Sequence, residues 1–271
     1  MCIRFDKELA RGLEAYEDVL GYWWLGRSSN EAHRRAYRKV ADYIAASFQN
    51  SPGVIVDYAC GAGNLLGLLA NRFPHSRLIG MDGSSFLLAL ARKRLSRLGK
   101  AALARVSYVG TVLPNFALRL KTNLVVFAFP NLVPGTAEDT LHDATDRLAP
   151  EDFPRARALA ETTDEDTAYA SLLRTRLASL NIRGLLRRGG YCVRVEYSGK
   201  PRDEMTRTEL MRAAFEEGSR EDDAGRRPGN PWFRIVASAY FRSGVIEDVY
   251  HQTKDARDSR GGYQITVLRA V

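Results

Sequence analysis

The chain has 271 residues, 45% of them hydrophobic and 27% charged, a composition typical of a soluble globular protein with room for one large α/β domain or two small ones. Its formal net charge is +8, but the arginines are scattered and no basic tract with interleaved aromatic residues occurs, so nucleic acid is not the expected partner. The three cysteines are far apart without CxxC spacing and the four histidines are dispersed, which predicts neither a disulfide framework nor a metal site. The chain shows no apolar leader, and its apolar runs have only the length of strands. We therefore expect a cytoplasmic protein without a membrane partner.

Residues 1–50 are predicted to form a helical cap. Apolar residues recur at helical spacing in two segments of this range, and Ser51-Pro52-Gly53 ends the second. Between the two segments lies an aromatic cluster bracketed by glycines, which includes Tyr22 and Trp24. Two interpretations stay open for this cluster: a hydrophobic staple between the cap helices, or a cover over a bound ligand.

Residues 51–271 are predicted to form a Rossmann-like α/β domain. Five apolar or alternating runs, separated by helical patterns or by longer insertions, are predicted strands: Val54–Val56, Arg77–Met81, Val106–Val109, Leu124–Phe129 and Gly190–Tyr197. Strands alternating with helices favour a parallel sheet with right-handed crossovers. Two last strands, Ile235–Phe241 and Tyr263–Leu268, have no helix between them and are expected to pair as an antiparallel hairpin at the sheet edge. The predicted sheet is therefore mostly parallel and seven-stranded.

An acidic segment interrupts the alternation after the fourth strand. Residues 135–167 contain ten acidic side chains against three arginines. We expect an insertion over the carboxyl edge of the sheet, where α/β proteins place their lids. A solvated acidic face is the alternative.

The strongest motif is the turn that follows the first strand. Residues 57–64 read Asp-Tyr-Ala-Cys-Gly-Ala-Gly-Asn, in which small residues let a backbone approach a ligand closely before a helix begins. Nineteen residues after Gly63, Asp82 closes the second strand, where a carboxylate can accept hydrogen bonds from both hydroxyls of a ribose. Leu66 occupies the position at which the dinucleotide fingerprint requires a third glycine, so a pyrophosphate cofactor is disfavoured.

With Asp57-x-Ala59-x-Gly61-x-Gly63 and Gly80-Met81-Asp82-Gly83-Ser84, residues 53–134 resemble the class I S-adenosylmethionine-dependent methyltransferases, although Ala59 replaces the first glycine of the family pattern. The resemblance implies S-adenosylmethionine as cofactor, with its methionine amino group near Asp57 and its ribose on Asp82. Thr111 stands where many members of the family have an acidic residue that holds the adenine. The resemblance therefore implies that backbone groups or Thr111 contact the adenine in this chain. The implied cofactor-binding residues are Asp57, Ala59, Gly61, Gly63, Asp82, Gly83, Thr111 and Phe129.

The substrate side of the predicted site is drawn from four separate segments. Phe129-Pro130-Asn131 departs from the Asn/Asp-Pro-Pro-Tyr sequence of DNA and protein amide methyltransferases, which disfavours a base-flipping adenine methylase. Asn131 still follows the fourth strand, where it can hold a substrate amine or make a local turn hydrogen bond. The predicted catalytic residues are Asn131, Tyr169 and Ser198, and the predicted substrate-binding residues are Tyr22, Trp24, Asn131 and Tyr197.

Three functions remain open at this point. The first is methylation of a small molecule in specialised metabolism, because the cap and the insertion would enclose a compact pocket. The second is cyclisation of S-adenosylmethionine to azetidine-2-carboxylate with release of methylthioadenosine, because the chain looks similar to methyltransferase-like cyclases in size, cap and Phe-Pro-Asn edge. The third is RNA modification or RNA binding that uses the positive charge.

Overall fold

A computed structural model describes residues 25, 28–49, 52–129, 147–160, 165–219, 232–242 and 261–271. The strands are β1 (Val54–Tyr58), β2 (Arg77–Asp82), β3 (Val106–Gly110), β4 (Thr122–Ala128), β5 (Leu186–Ser198), β6 (Phe233–Arg242) and β7 (Gly262–Ala270). The helices are α1 (Glu31–Ser47), α2 (Asn64–Arg72), α3 (Ser85–Leu95), α4 (Lys100–Leu103), α5 (Asp152–Leu159), α6 (Glu165–Leu185) and α7 (Arg207–Glu217), with 3-10 turns at Ser96–Leu98 and Arg202–Glu204.

The strands of the described residues form one sheet of seven, in the order β3-β2-β1-β4-β5-β7-β6. β1 to β5 run parallel, whereas β7 pairs antiparallel with both β5 and β6. The predicted mostly parallel sheet with antiparallel last strands is therefore confirmed. The chain changes direction across the sheet between β1 and β4, and the crevice at the carboxyl ends of such strands is the usual ligand position in open α/β sheets.

Helices cover both faces of the sheet. On one face α1 and α2 pack together, and Val40, Ile44 and Leu66 join a buried cluster with strand residues such as Ile55 and Val193. On the other face α6 covers a second cluster formed by β1, β4 and β5. The helix predicted for the second half of the cap thus packs into the main core, because its buried residues recur at helical spacing along one face.

Helices α5, α6 and α7 form a third apolar cluster. Of the predicted acidic insertion, residues 147–160 and the start of α6 are described, and α5 lies within it. Asp152 of this segment is buried and pairs with Arg176 at 3.1 Å, so this acidic residue belongs to a packed interface rather than to a solvated face. Helix α7 was not predicted, although Thr206 and Glu209 form a capping box at its start.

Candidate active site

The turn after β1 contains three residues with left-handed backbone conformation. Ala59, Gly61 and Gly63 have φ values of 60°, 50° and 71°. Gly63 is the N-cap of α2, and a Cβ atom there would lie 2.9 Å from the Cβ of Ala91. Glycine is therefore required at residue 63 both for the conformation and for the close packing of α2 on α3.

Asp82 holds this turn against the end of β2. Its Oδ2 accepts the Gly61 N–H at 2.7 Å and its Oδ1 accepts the Ser84 N–H at 2.9 Å. Burial raises the pKa of Asp82, and the hydrogen bonds from Ser84 and Gly61 partly oppose that rise. The Gly83 N–H acts on this carboxyl group in the same direction. A carboxylate has about four acceptor positions, so these N–H groups still leave capacity for a ligand hydroxyl.

Asp57, at the carboxyl end of β1, is a buried acid with an incomplete hydrogen-bond set. Its side chain is 3% exposed, and its Oδ2 has no hydrogen-bond partner among the described residues. Burial, reinforced by the negative charge of Asp82, raises its pKa to about 8, although the Leu66 N–H acts against that rise. An unsatisfied buried acceptor costs about 1–3 kcal/mol, so this oxygen is poised to accept from a ligand.

A pocket lies over the carboxyl ends of β1 and β4. The turn residues 59–62, Asp57 and Phe129 line it, and Ser28, Tyr37 and Asn64 extend the lining toward α1 and α2. The predicted cofactor residues Asp57, Ala59, Gly61 and Phe129 therefore meet at one pocket.

The remaining predicted cofactor residues border this pocket through the backbone. Asp82 and Gly83 end β2, and Asp82 is hydrogen-bonded to Gly61 of the pocket lining. The Thr111 N–H donates to the backbone carbonyl of Asp82 at 2.9 Å, which places the end of β3 beside the same edge. The hydroxyl of Thr111 accepts from Asn115 Nδ2 at 2.5 Å.

Phe129 forms an aromatic wall at the end of β4. It has a φ of 50°, unusual for a non-glycine residue, while its N–H donates to the Val195 carbonyl of β5 at 2.8 Å. Its ring lies 4.9 Å from that of Tyr197 and 5.5 Å from that of Tyr37, measured between centroids. Strained backbone of this kind persists where the surroundings enforce it, often at ligand sites.

His33 stands behind this wall and was missed by the sequence analysis, which considered histidines only as metal ligands. It is fully buried in α1, with Nε2 at 2.9 Å from the Tyr197 hydroxyl and Nδ1 at 3.0 Å from Asn30 Oδ1. Its spacing to Tyr37, Val40 and Ile44 on the apolar face of the helix is the signal that predicts its burial.

Asn64 was also missed, although it directly follows the motif. Its Nδ2 lies 3.2 Å from both the carbonyl and the hydroxyl oxygen of Ser28, and its Oδ1 accepts from Arg94. The Arg94 guanidinium also donates to the Ala62 carbonyl at 2.9 Å. These bonds tie the chain before α1 to the turn after β1 and to α3.

The other predicted site residues lie elsewhere or outside the described residues. Tyr169 packs in the third cluster beneath the Arg157 guanidinium, 5.0 Å from its ring centroid, and Ser198 donates to the Lys200 carbonyl at 2.5 Å. Neither is among the residues that line the pocket. Tyr22, Trp24 and Asn131 fall outside the described residues, so the roles of these five residues stay predictions.

Within the described ranges, no three His, Cys, Asp or Glu side chains are close enough together to hold a metal ion. The helices of those ranges include none with the length and apolar character needed to cross a membrane.

Comparison with known proteins agrees with this fold and this turn. Residues 55–151 match the family model of a methyltransferase domain. Trans-aconitate 2-methyltransferase from Acidovorax sp. (strain JS42) is 48% identical over 58 residues, which is 21% of this chain and 22% of that protein. The enzyme of the same name from Methylobacterium radiotolerans is 41% identical over 64 residues, 24% of this chain and 25% of the relative. The chain thus matches about a quarter or less of the length of these curated relatives.

Among solved structures, magnesium protoporphyrin IX methyltransferase from Synechocystis PCC 6803 with bound S-adenosylmethionine superposes with a TM-score of 0.50. The alignment covers 100% of both chains at 12% sequence identity, a level that shows a shared fold. The family match defines the class of this part of the chain: residues 55–151 form a methyltransferase domain of the S-adenosylmethionine-dependent kind. The solved methyltransferase shares its fold with this chain. The cofactor of the class is S-adenosylmethionine.

Proposed function

We propose that this protein binds S-adenosylmethionine in the pocket at the carboxyl ends of β1 and β4 and methylates a small molecule of specialised metabolism. One observation carries the proposal: Asp57 is a buried acid at the pocket whose Oδ2 has no hydrogen-bond partner among the described residues. The ammonium group of the methionine part of S-adenosylmethionine could donate a hydrogen bond to that oxygen. A hydrogen bond from a charged donor is stronger than one between two neutral groups.

The residues of the pocket fit the remaining parts of the cofactor. The turn from Ala59 to Gly63 brings backbone close to the ligand, and Asp82 retains acceptor capacity for the ribose hydroxyls. Thr111 and Gly83 border the position expected for the adenine. Tyr37 and Phe129 exclude water on the side of β4, and their aromatic faces attract a cationic centre. When bound, S-adenosylmethionine supplies a methyl group activated by its sulfonium.

A small acceptor is supported by the aromatic lining of the pocket and by the names of the relatives. The pocket wall is built from aromatic side chains of α1 and β4, and the Asn64 bonds hold the chain at Ser28 across it. The curated relatives are named for trans-aconitate, a small carboxylic acid. Trans-aconitate is therefore the first acceptor to test.

The deciding experiment is mass spectrometry of the purified protein incubated with S-adenosylmethionine, with and without trans-aconitate and a panel of small hydroxyl- and amine-bearing molecules. We expect S-adenosylhomocysteine and a methylated acceptor to form together. Asp57→Asn and Asp82→Asn should abolish the reaction, whereas Asp42→Asn, which changes an exposed carboxylate on α1, should leave it intact.

The same experiment decides the cyclisation. Methylthioadenosine and azetidine-2-carboxylate formed from S-adenosylmethionine alone, in proportion to the protein and lost in Asp82→Asn, would replace methyl transfer by cyclisation. Failure of the wild-type protein to bind S-adenosylhomocysteine by calorimetry would contradict both reactions.

A further inference from the structure

A polar contact joins two segments that both line the pocket. Ser28 precedes α1, Asn64 is the first residue of α2, and both belong to the pocket lining. The Nδ2 atom of Asn64 lies 3.2 Å from both the carbonyl and the hydroxyl oxygen of Ser28. Ser28 is only 2% exposed, so water has little access to compete for these bonds. The contact between Ser28 and Asn64, the Ser28 latch, thus connects two parts of the pocket wall.

The Arg94 guanidinium determines the orientation of the Asn64 amide. A guanidinium has only donors and it faces Oδ1 of Asn64, so this atom is the amide oxygen and Nδ2 faces Ser28. Because the Ser28 hydroxyl then accepts from Nδ2, its own hydrogen points elsewhere, and the Leu25 carbonyl lies 3.4 Å away to accept it. Each of these bonds therefore runs in the same direction, from the guanidinium to the Leu25 carbonyl. The first bond has a charged donor, which strengthens it.

An apolar contact accompanies the Ser28 latch. Leu25 packs against a small buried cluster that contains Ala62 and Leu87. Ala62 belongs to the turn after β1 and Leu87 lies on α3, and Arg94 of α3 also donates to the Ala62 carbonyl at 2.9 Å. Polar and apolar contacts from the chain before α1 thus converge on the turn whose residues line the pocket.

We propose that Asn64 is a positioning residue that latches the chain at Ser28 onto the turn after β1 and thereby slows the release of the cofactor, an inference that rests on the proposed function. The latch fixes the spacing between two parts of the pocket lining. A ligand that contacts both parts gains affinity, because neither part has to be ordered when the ligand binds. Loss of the latch should accelerate dissociation more than it changes association.

The Asn64→Ala variant removes the donor of the latch and keeps a good helix former at the start of α2. In a pulse-chase experiment, labelled S-adenosylhomocysteine should leave this variant about 10-fold faster than the wild type, since two hydrogen bonds are lost. Asn71→Ala is the matched control, because it makes the same substitution at an exposed residue of the same helix. This control should release the ligand at the wild-type rate.

The Ser28→Ala variant tests whether the two residues act together. It removes the hydroxyl acceptor but keeps the backbone carbonyl of residue 28, so release should accelerate by only about 2- to 5-fold. Adding Ser28→Ala to Asn64→Ala should not accelerate release further, because the double variant has no latch bond left to lose. If the two effects multiplied instead, each residue would act by itself and the latch would be overturned.

Hydrogen exchange gives a readout that needs no ligand. In Asn64→Ala we expect peptides that cover residues 28–33 to exchange faster, while peptides that cover residues 65–72 keep the wild-type rate. The reason is that the latch holds the chain before α1, whereas α2 keeps its own backbone hydrogen bonds. A role of Asn64 confined to the start of α2 predicts the opposite pattern, and that pattern would overturn the proposal.

The outcomes for the latch are separable from failure of the proposed function. Release from Asn64→Ala at the wild-type rate, with both proteins binding S-adenosylhomocysteine, overturns the latch while the proposed cofactor stands. A wild-type protein that does not bind S-adenosylhomocysteine contradicts the proposed function itself, and the latch then has no ligand to retain.

Discussion

At the scale of single residues, the Asp57 carboxyl group should act as a proton donor when the ligand binds. Burial raises its pKa to about 8, so at pH 7 most ligand-free molecules hold the proton. A ligand ammonium at Oδ2 would favour the ionised form and lower that pKa. We therefore expect S-adenosylhomocysteine binding at pH 7 to release up to about one proton per ligand.

Calorimetry in two buffers of different ionisation enthalpy measures this release. Asp57→Asn should bind more weakly and release none of that proton, whereas Asp42→Asn should behave as the wild type. Proton uptake by the wild type, or an equal release by Asp57→Asn, would show that Asp57 does not face the ligand ammonium.

The same group should make the ligand-free protein less stable as the pH rises. The folded pKa of about 8 lies above the ordinary value of 3.8, so the folded state binds the proton more tightly than the unfolded state between these values. The contribution of Asp57 is present below about pH 4 and is lost toward pH 8, at about 1.4 kcal/mol per pH unit.

Thermal unfolding from pH 5 to pH 8 tests this sign. The melting temperature of Asp57→Asn should fall less over this range than that of the wild type. Parallel curves for the two proteins would be inconsistent with a protonated Asp57.

The meeting of Asp57, Ala59 and Gly61 at one pocket could be predicted from the sequence because these residues are close together in the chain. Asp57, Ala59 and Gly61 lie within five residues of one another, and Asp82 is separated from them by one helix and one strand. His33 was not readable, because its partner Tyr197 is 164 positions away and the two meet only when α1 packs over β5. Sequence spacing does not determine such a contact.

At the scale of elements, the interface between β5 and α7 depends on a buried arginine. Arg194 is 1% exposed, donates to the carboxylate of Glu196 and lies 3.7 Å from that of Glu216. Burial and the charge of Glu196 raise the pKa of Glu216 to about 7, while Arg194 acts against that rise. Arg194→Met would leave two partly buried carboxyl groups, those of Glu196 and Glu216, without their main counter-charge.

We expect Arg194→Met to lower the free energy of unfolding by about 3–5 kcal/mol, as when one partner of a buried ion pair is removed. The loss should be larger at pH 8 than at pH 5, because Glu216 can be protonated at the lower pH. Adding Glu216→Gln should recover part of the loss in urea unfolding experiments. Arg212→Met, which removes a more exposed partner of Glu216, is the matched control.

The strands could be predicted from the sequence, but the interface between β5 and α7 could not, because only the strands have a local pattern. Parallel strands buried on both faces are continuous apolar runs, and β4 shows this pattern without reference to its neighbours. Arg194 sits in an alternating strand, and its burial depends on Ser179 of α6 and Glu216 of α7. The buried residues of helix α7, Ala214, Phe215 and Glu217, all lie in its second half, so its capping box at Thr206 was the main local sign of its start.

At the scale of the whole molecule, the net charge of +8 is less concentrated than its value suggests. Arg34, Arg35 and Arg38 surround Glu31 on α1, and Arg72 pairs with Asp42. Arg194 and Arg202 are paired with glutamates at or near the interior. These arginines of the described residues lie on α1, α2, β5 and the turn Arg202–Glu204, rather than together in one groove that could follow a phosphate backbone.

Salt dependence tests this reasoning against the RNA alternative. Each phosphate contact with a duplex contributes about −0.9 to the slope of log K against log salt. We expect labelled RNA to show only weak binding in anisotropy titrations at low salt and none at about 150 mM, where charges are screened beyond roughly 8 Å. S-adenosylhomocysteine affinity should change little over the same range, because its contacts lie in a buried pocket. Tight RNA binding that persists at 150 mM salt with a slope of several contacts would instead make RNA the acceptor, and the small-molecule proposal would have to be abandoned.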